Sequence, residues 1–146
     1  MKLIYKLLTM VLFSVILCSG CKKYNEQTSD FSTSAPAYIA LKTYTAKTVV
    51  QGNALSFTVV VRTAIQELLT VTYQITGDFS LSGTYTLPRN TLEGTVFVVI
   101  PAGTVPVGSS GVTGTLKLIT ATSANTKITV GRITPDSEKF SVTVTP

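Results

Sequence analysis

The sequence predicts an all-β fold, a two-sheet antiparallel sandwich of about seven strands over residues 37–146. Three observations predict it. Apolar and polar residues alternate with period two in several short windows, turn-forming residues separate these windows at regular intervals, and no window beyond residue 36 carries helical periodicity. The chain, 146 residues and 45% apolar, has room for one such domain and enough hydrophobic side chains to fill its core.

The clearest strand is ALSFTVVVR, with Leu55, Phe57, Val59 and Val61 on one face and Ser56, Thr58, Val60 and Arg62 on the other. LTVTYQIT repeats the pattern with Leu69, Val71, Tyr73 and Ile75 inward, and FSVTVT places Phe140, Val142 and Val144 inward. β-Branched residues dominate all three, which suits a pleated surface and costs rotamer freedom in a helix. Further strands are expected at 38–45, 83–87, 95–100 and 114–121, with TKITVGR adding a short one or running irregularly. TVFVVI at 95–100 is apolar on both faces, so it is expected as a central strand or one covered by a loop. Turns fall at Gln51-Gly52-Asn53, Gly77-Asp78, Pro88-Arg89-Asn90, Pro101-Ala102-Gly103, 108–111 and 134–137, while TAIQELL is too short for more than a helical turn. Strands so punctuated are the pattern of an immunoglobulin-like sandwich.

The first 36 residues read differently. Lys2 and Lys6 precede the uncharged stretch LLTMVLFSVILCSG, a basic region followed by an apolar one too short to span a bilayer, which takes about 20 residues. Residues 1–20 are therefore expected to be a signal peptide. The segment ends in LCSGCKK, where Cys21 follows the small pair Ser19-Gly20 and precedes an abrupt change to polar residues. This resembles the lipobox of bacterial lipoproteins, although the Leu usual three residues before the cysteine is here Cys18, with Leu17 and Ile16 just upstream. The resemblance implies lipidation of Cys21 after cleavage, a membrane partner through the lipid, and a cell-envelope location, most simply the outer membrane. A Cys18–Cys21 disulfide would close a strained loop, and a two-thiol metal site has no further ligands in a chain without His. Residues 21–36, polar and rich in Ser and Thr, read as a tether with a coil reach of about 20 Å. The mixed charge of Lys22-Lys23-Tyr24-Asn25-Glu26 points to neither side of the membrane.

Cleavage takes the balance from 12 basic against 7 acidic residues to 10 against 7, a net of +3. The basic residues are scattered, which argues against a nucleic-acid partner. The strand order GNALSFTVVV, VTYQITG, YTLPRNTLEGTVFVVIPAG and GTLKLITA resembles the Calx-beta-like immunoglobulin folds, and also the sandwich modules near the N-termini of glycan-utilisation surface lipoproteins. The second resemblance implies a binding or accessory module for glycan. The first would bring a calcium site, but Gln51 stands where an acid is needed, and PAGTVPVGSSGVTG after Ile100 holds no acid. No metal or cofactor is therefore expected.

Catalysis is not expected either. The chain has no His, and its hydroxyls have no evident activating partner, which leaves Glu67, Asp78, Glu93, Asp136 and Glu138. All five fall in or beside predicted turns or strand starts, and TPDSEKF reads as a turn in which Asp136 caps local amides and Glu138 faces solvent. The candidate binding residues are Tyr38, Lys42 and Tyr44, turned away from the core side of the first strand by Ile39 and Leu41. Two tyrosines flanking a lysine suit a sugar ring. The competing reading is an edge strand whose tyrosines cover loops while Lys42 discourages edge pairing, and with it a structural or adhesive subunit that binds an envelope protein. The anchor has a direct test: Cys21→Ser should leave an uncleaved precursor that takes up no radiolabelled fatty acid, whereas Cys18→Ser should still be processed and acylated.

Overall fold

A computed structural model describes residues 36–131 and 135–146. The segments expected to be a signal peptide and a tether, together with Cys21, lie outside these residues apart from residue 36. The described chain is all-β, apart from one 3-10 turn at Pro135–Glu138: β1 (Tyr38–Leu41), β2 (Lys47–Val50), β3 (Ala54–Val61), β4 (Leu69–Gly77), β5 (Leu81–Leu87), β6 (Glu93–Val99), β7 (Val112–Thr122), β8 (Thr129–Val130) and β9 (Lys139–Thr145). They form a four-stranded sheet in the order β6-β3-β1-β8 and a five-stranded sheet in the order β2-β9-β7-β4-β5. The two pack as a sandwich.

The inward sets read from alternation are the core. Leu55, Phe57, Val59 and Val61 of β3 face Leu69, Val71, Tyr73 and Ile75 of β4 and Phe140, Val142 and Val144 of β9, and all are buried. Phe57 joins the sheets: its ring lies edge-on to Tyr73 at a centroid distance of 5.4 Å and to Phe140 at 6.1 Å. Tyr73 stands directly across the ladder from Gly83, and a Cβ there would collide with the phenol ring. A glycine inside β5 is thus the counterpart of a large core side chain in β4.

Three features depart from the alternating pattern. The expected strand at 38–45 is shorter: β1 ends at Leu41, and the chain crosses to the other sheet, where Lys47–Val50 form β2. The sandwich is not wholly antiparallel: β1 runs parallel to β8, and β2 parallel to β9, while the ladders among β3, β4, β5, β6, β7 and β9 are antiparallel. The third is a correction. β6 is neither central nor covered by a loop; it is the edge of the four-stranded sheet, with Val96 and Val98 in the core but Phe97 70% and Val99 64% exposed. Its dual apolarity reflects one buried face and one bare face, which periodicity does not separate from two buried ones.

Removing the Phe57 ring withdraws apolar area from both sheets at once, and truncating a buried aromatic costs about 3–5 kcal/mol. Phe57→Ala should therefore lower the denaturation midpoint far more than Thr58→Ala, measured side by side; equal shifts would contradict this packing.

Candidate functional site

The crossing between the sheets places the candidate residues. Although β1 ends at Leu41, Lys42 continues its ladder, donating its amide to the Thr58 carbonyl at 2.9 Å, so it keeps the outward facing of Tyr38, whereas Tyr44 lies beyond the ladder and is carried to the other sheet. Tyr38 stays on β1, half-buried in the four-stranded sheet. Lys42 follows the strand end, where its ammonium pairs with Glu93 of β6 at 2.6 Å. Tyr44, 54% exposed, lies in the crossing segment against the second sheet.

There it helps to line a hollow of about 370 Å³ with Thr115, Lys139, Phe140 and Ser141. Register accounts for the hollow. β2 pairs with β9 only from Val142 onward, so the first residues of β9 have no strand beside them on that edge. On the other side β7 supplies two outward pairs, Lys117 with Lys139 and Thr115 with Ser141, while the intervening Leu116 and Phe140 point into the core. The floor is therefore hydroxyl-bearing and cationic, and the wall is an aromatic ring. Lys117 is paired with Glu138 at 3.2 Å; none of the ion pairs among the described residues involves Lys139. Sequence reasoning missed this lysine because nothing in the pattern from residue 38 to 45 connects Tyr44 with a strand nearly a hundred residues later.

The acids hold the scaffold together. Glu67, in the β3–β4 loop, accepts hydrogen bonds from the Ser123 hydroxyl, from the Asn125 backbone amide at 2.9 Å and from the Asn125 side chain at 2.8 Å. The Ser123 hydroxyl, followed by the two Asn125 donors, lowers its pKa from 4.5 to about 2. Asp78 accepts from the Thr113 amide at 2.8 Å and hydroxyl at 3.0 Å, which lowers its pKa and ties the β4–β5 turn to the start of β7. Glu138 does not simply face solvent: it reaches Lys117. With Glu93 on Lys42, each of these four carboxylates is bound to a structural partner, and they lie on separate elements rather than facing one another across a cleft. The side chain of Asp136 lies outside the described residues.

Gln51 shows what replaces an acid at the β2–β3 turn. Its side-chain oxygen accepts from the backbone amides of Gly103 at 3.0 Å and Val105 at 3.1 Å, in the β6–β7 loop. Gly52, at φ +83°, donates from its own amide to the Ile100 carbonyl at 2.8 Å. The side-chain oxygen is thus occupied by two amide donors, and a neutral amide closes this end of the sandwich. Among the described residues no group of three or more His, Cys, Asp or Glu side chains could hold a metal ion.

Solved structures share the fold. The apo-form CBD1 domain of Calx superposes with a TM-score of 0.54 at 10% identity, covering 75% of this chain and 96% of that one. The CBD12 chain of CALX1.2 gives 0.53 at 10% identity, covering 74% and 44%; the calcium binding domain CBD12 of CALX1.1 gives 0.50 at 15%, covering 75% and 43%. At these identities the likeness is one of fold. No protein-family model and no curated protein sequence matches the chain.

The Glu67 bridge predicts a pH signature. Its folded pKa lies below the unfolded one, so its contribution to stability is complete above about pH 4.5 and is lost as pH falls towards 2. The difference in melting temperature between the wild type and Glu67→Gln should be present at neutral pH and shrink over that window; a difference independent of pH would contradict the bridge.

Proposed function

We propose that this protein is a lipid-anchored, non-catalytic module of the bacterial cell envelope that captures glycan in the hollow beside Tyr44. The observation that carries the reading is the exposed Tyr44 ring, which lines the same hollow as an outward hydroxyl pair, Thr115 and Ser141. An aromatic face takes the apolar side of a sugar ring, and hydroxyls bond to its rim. In this reading an acyl chain on Cys21 anchors the protein to the outer membrane. Engagement of Glu67, Asp78, Glu93 and Glu138 in scaffold contacts supports capture rather than hydrolysis, which needs two carboxylates facing each other about 5–9.5 Å apart.

A second reading, an adhesive subunit that binds a protein by strand addition, is favoured by β6. In its ladder with β3, the residues pointing inward make the hydrogen-bonded pairs, as Val61 to Leu92 and Ile100 to Asn53 show at the two ends. The amides and carbonyls of Glu93, Thr95, Phe97 and Val99 therefore point away from the sheet. Such an edge, with Phe97 and Val99 exposed, is a template for an extended peptide.

Glycan-array binding by the protein should be lost in Tyr44→Ala, retained in Tyr38→Ala, and unaffected by EDTA, with melting temperatures unchanged. Absence of any Tyr44-dependent binding, together with protection of the Thr95, Phe97 and Val99 amides from hydrogen exchange by an added protein, would replace this reading with the second.

A further inference from the structure

The hollow beside Tyr44 carries more charge than a neutral sugar needs. Lys117 and Lys139 are direct cross-strand neighbours on the outer face of the five-stranded sheet, and like charges so placed destabilise a ladder. Glu138 offsets Lys117. Each of the other described acids is occupied elsewhere, Glu67 on Ser123 and Asn125, Asp78 on Thr113 and Glu93 on Lys42. Lys139 thus faces the hollow with no described carboxylate bound to it, and among the described residues this face carries two lysines against one acid, next to the exposed Tyr44 ring.

We infer that the preferred ligand of this hollow is an acidic polysaccharide, one whose sugars carry carboxylates. The inference rests on the glycan-capture reading and deepens it. The Lys139 ammonium receives the carboxylate, Tyr44 stacks on the sugar ring, and Thr115 and Ser141 bond its hydroxyls. A bare phosphate or sulfate would use the lysine but leave the aromatic wall without a partner, so the ring and the charge together select a charged sugar. The polymer has a path beyond the first ring. Lys139 is in register with Lys117, and Lys117 with Gln74 of β4, so a row of donors crosses three strands. With strands about 4.8 Å apart the row is about 10 Å long, enough for a second sugar. The bound anion would also relieve the repulsion between the two lysines, so ligand and sheet stabilise each other.

The test is affinity electrophoresis of the full-length protein in detergent micelles, through gels containing polygalacturonate, alginate or hyaluronate, each beside its carboxyl-reduced, neutral form. The expected result is retardation by at least one acidic polymer, weaker by about tenfold on its neutral form, which is the worth of one charge-assisted hydrogen bond. Lys139→Met should produce the same loss, Lys139→Arg should keep most of the affinity, and Lys127→Met should change nothing. Retardation should fall as salt rises and the screening length shrinks from about 10 Å at 0.1 M to about 3 Å at 1 M. Equal retardation by acidic and neutral forms, or Tyr44-dependent binding to neutral glycans alone, overturns the inference while leaving glycan capture standing. Retention by vesicles of anionic phospholipid but by none of the polymers overturns it in favour of a membrane surface. Loss of all Tyr44-dependent glycan binding removes both.

Discussion

Everything in this sandwich depends on the contact of Phe57 with Tyr73 and Phe140 across the two sheets. Hydrogen bonds hold each sheet together internally, but apart from loops and the chain crossing, side-chain packing is what keeps the sheets facing one another. Phe57 sits near the middle of β3 and touches the two strands that flank β7 in the opposing sheet. The edge-on geometry sets the separation, and the glycine opposite Tyr73 makes room for its ring. Positions on the outer surface inherit their placement from this contact, since each outward residue of β9 and β7 alternates with an inward one that packs beneath it.

The second constraint is the crossing at residues 42–46. It removes the chain from one sheet and adds it to the other, leaving the first part of β9 without an edge neighbour and bringing Tyr44 to the gap. The candidate site is therefore a by-product of topology: a strand too short to finish its sheet, beside a ladder whose outward pairs carry the chemistry. The opposite end is closed differently, by the Gln51 oxygen gathering the amides of the β6–β7 loop.

Much of the fold was legible in the sequence. Leu55 to Val61, Leu69 to Ile75 and Phe140 to Val144 alternate so regularly that their facing followed from period two, and the structure buries the residues on the expected side. The failures share one cause. Where a strand ends, changes sheet or loses its neighbour, the sequence carries no local mark of it: Ile39 and Leu41 announce a strand but not its stop, and TVFVVI announces burial without saying that one face is open. The site was half legible. Tyr44 stood out as an aromatic among polar residues, but Lys139 joined it only through the register of β7 and β9, and the Glu67 network needed two loops whose partners are more than fifty residues apart. Non-local pairing is what the alternation of side chains leaves out.

The parallel pairing of β2 with β9 has a mechanical consequence. The first strand of the five-stranded sheet in chain order, β2, lies beside the last strand of the chain and runs in the same direction, with Lys47 to Val50 matched to Val142 to Thr145. A pull that separates the two ends of the domain therefore slides these strands along each other instead of peeling them apart. All of their shared hydrogen bonds bear the load together, and resistance to such a pull is set by the rate of unfolding rather than by the equilibrium stability. This arrangement of edges therefore spreads such a force over the whole ladder.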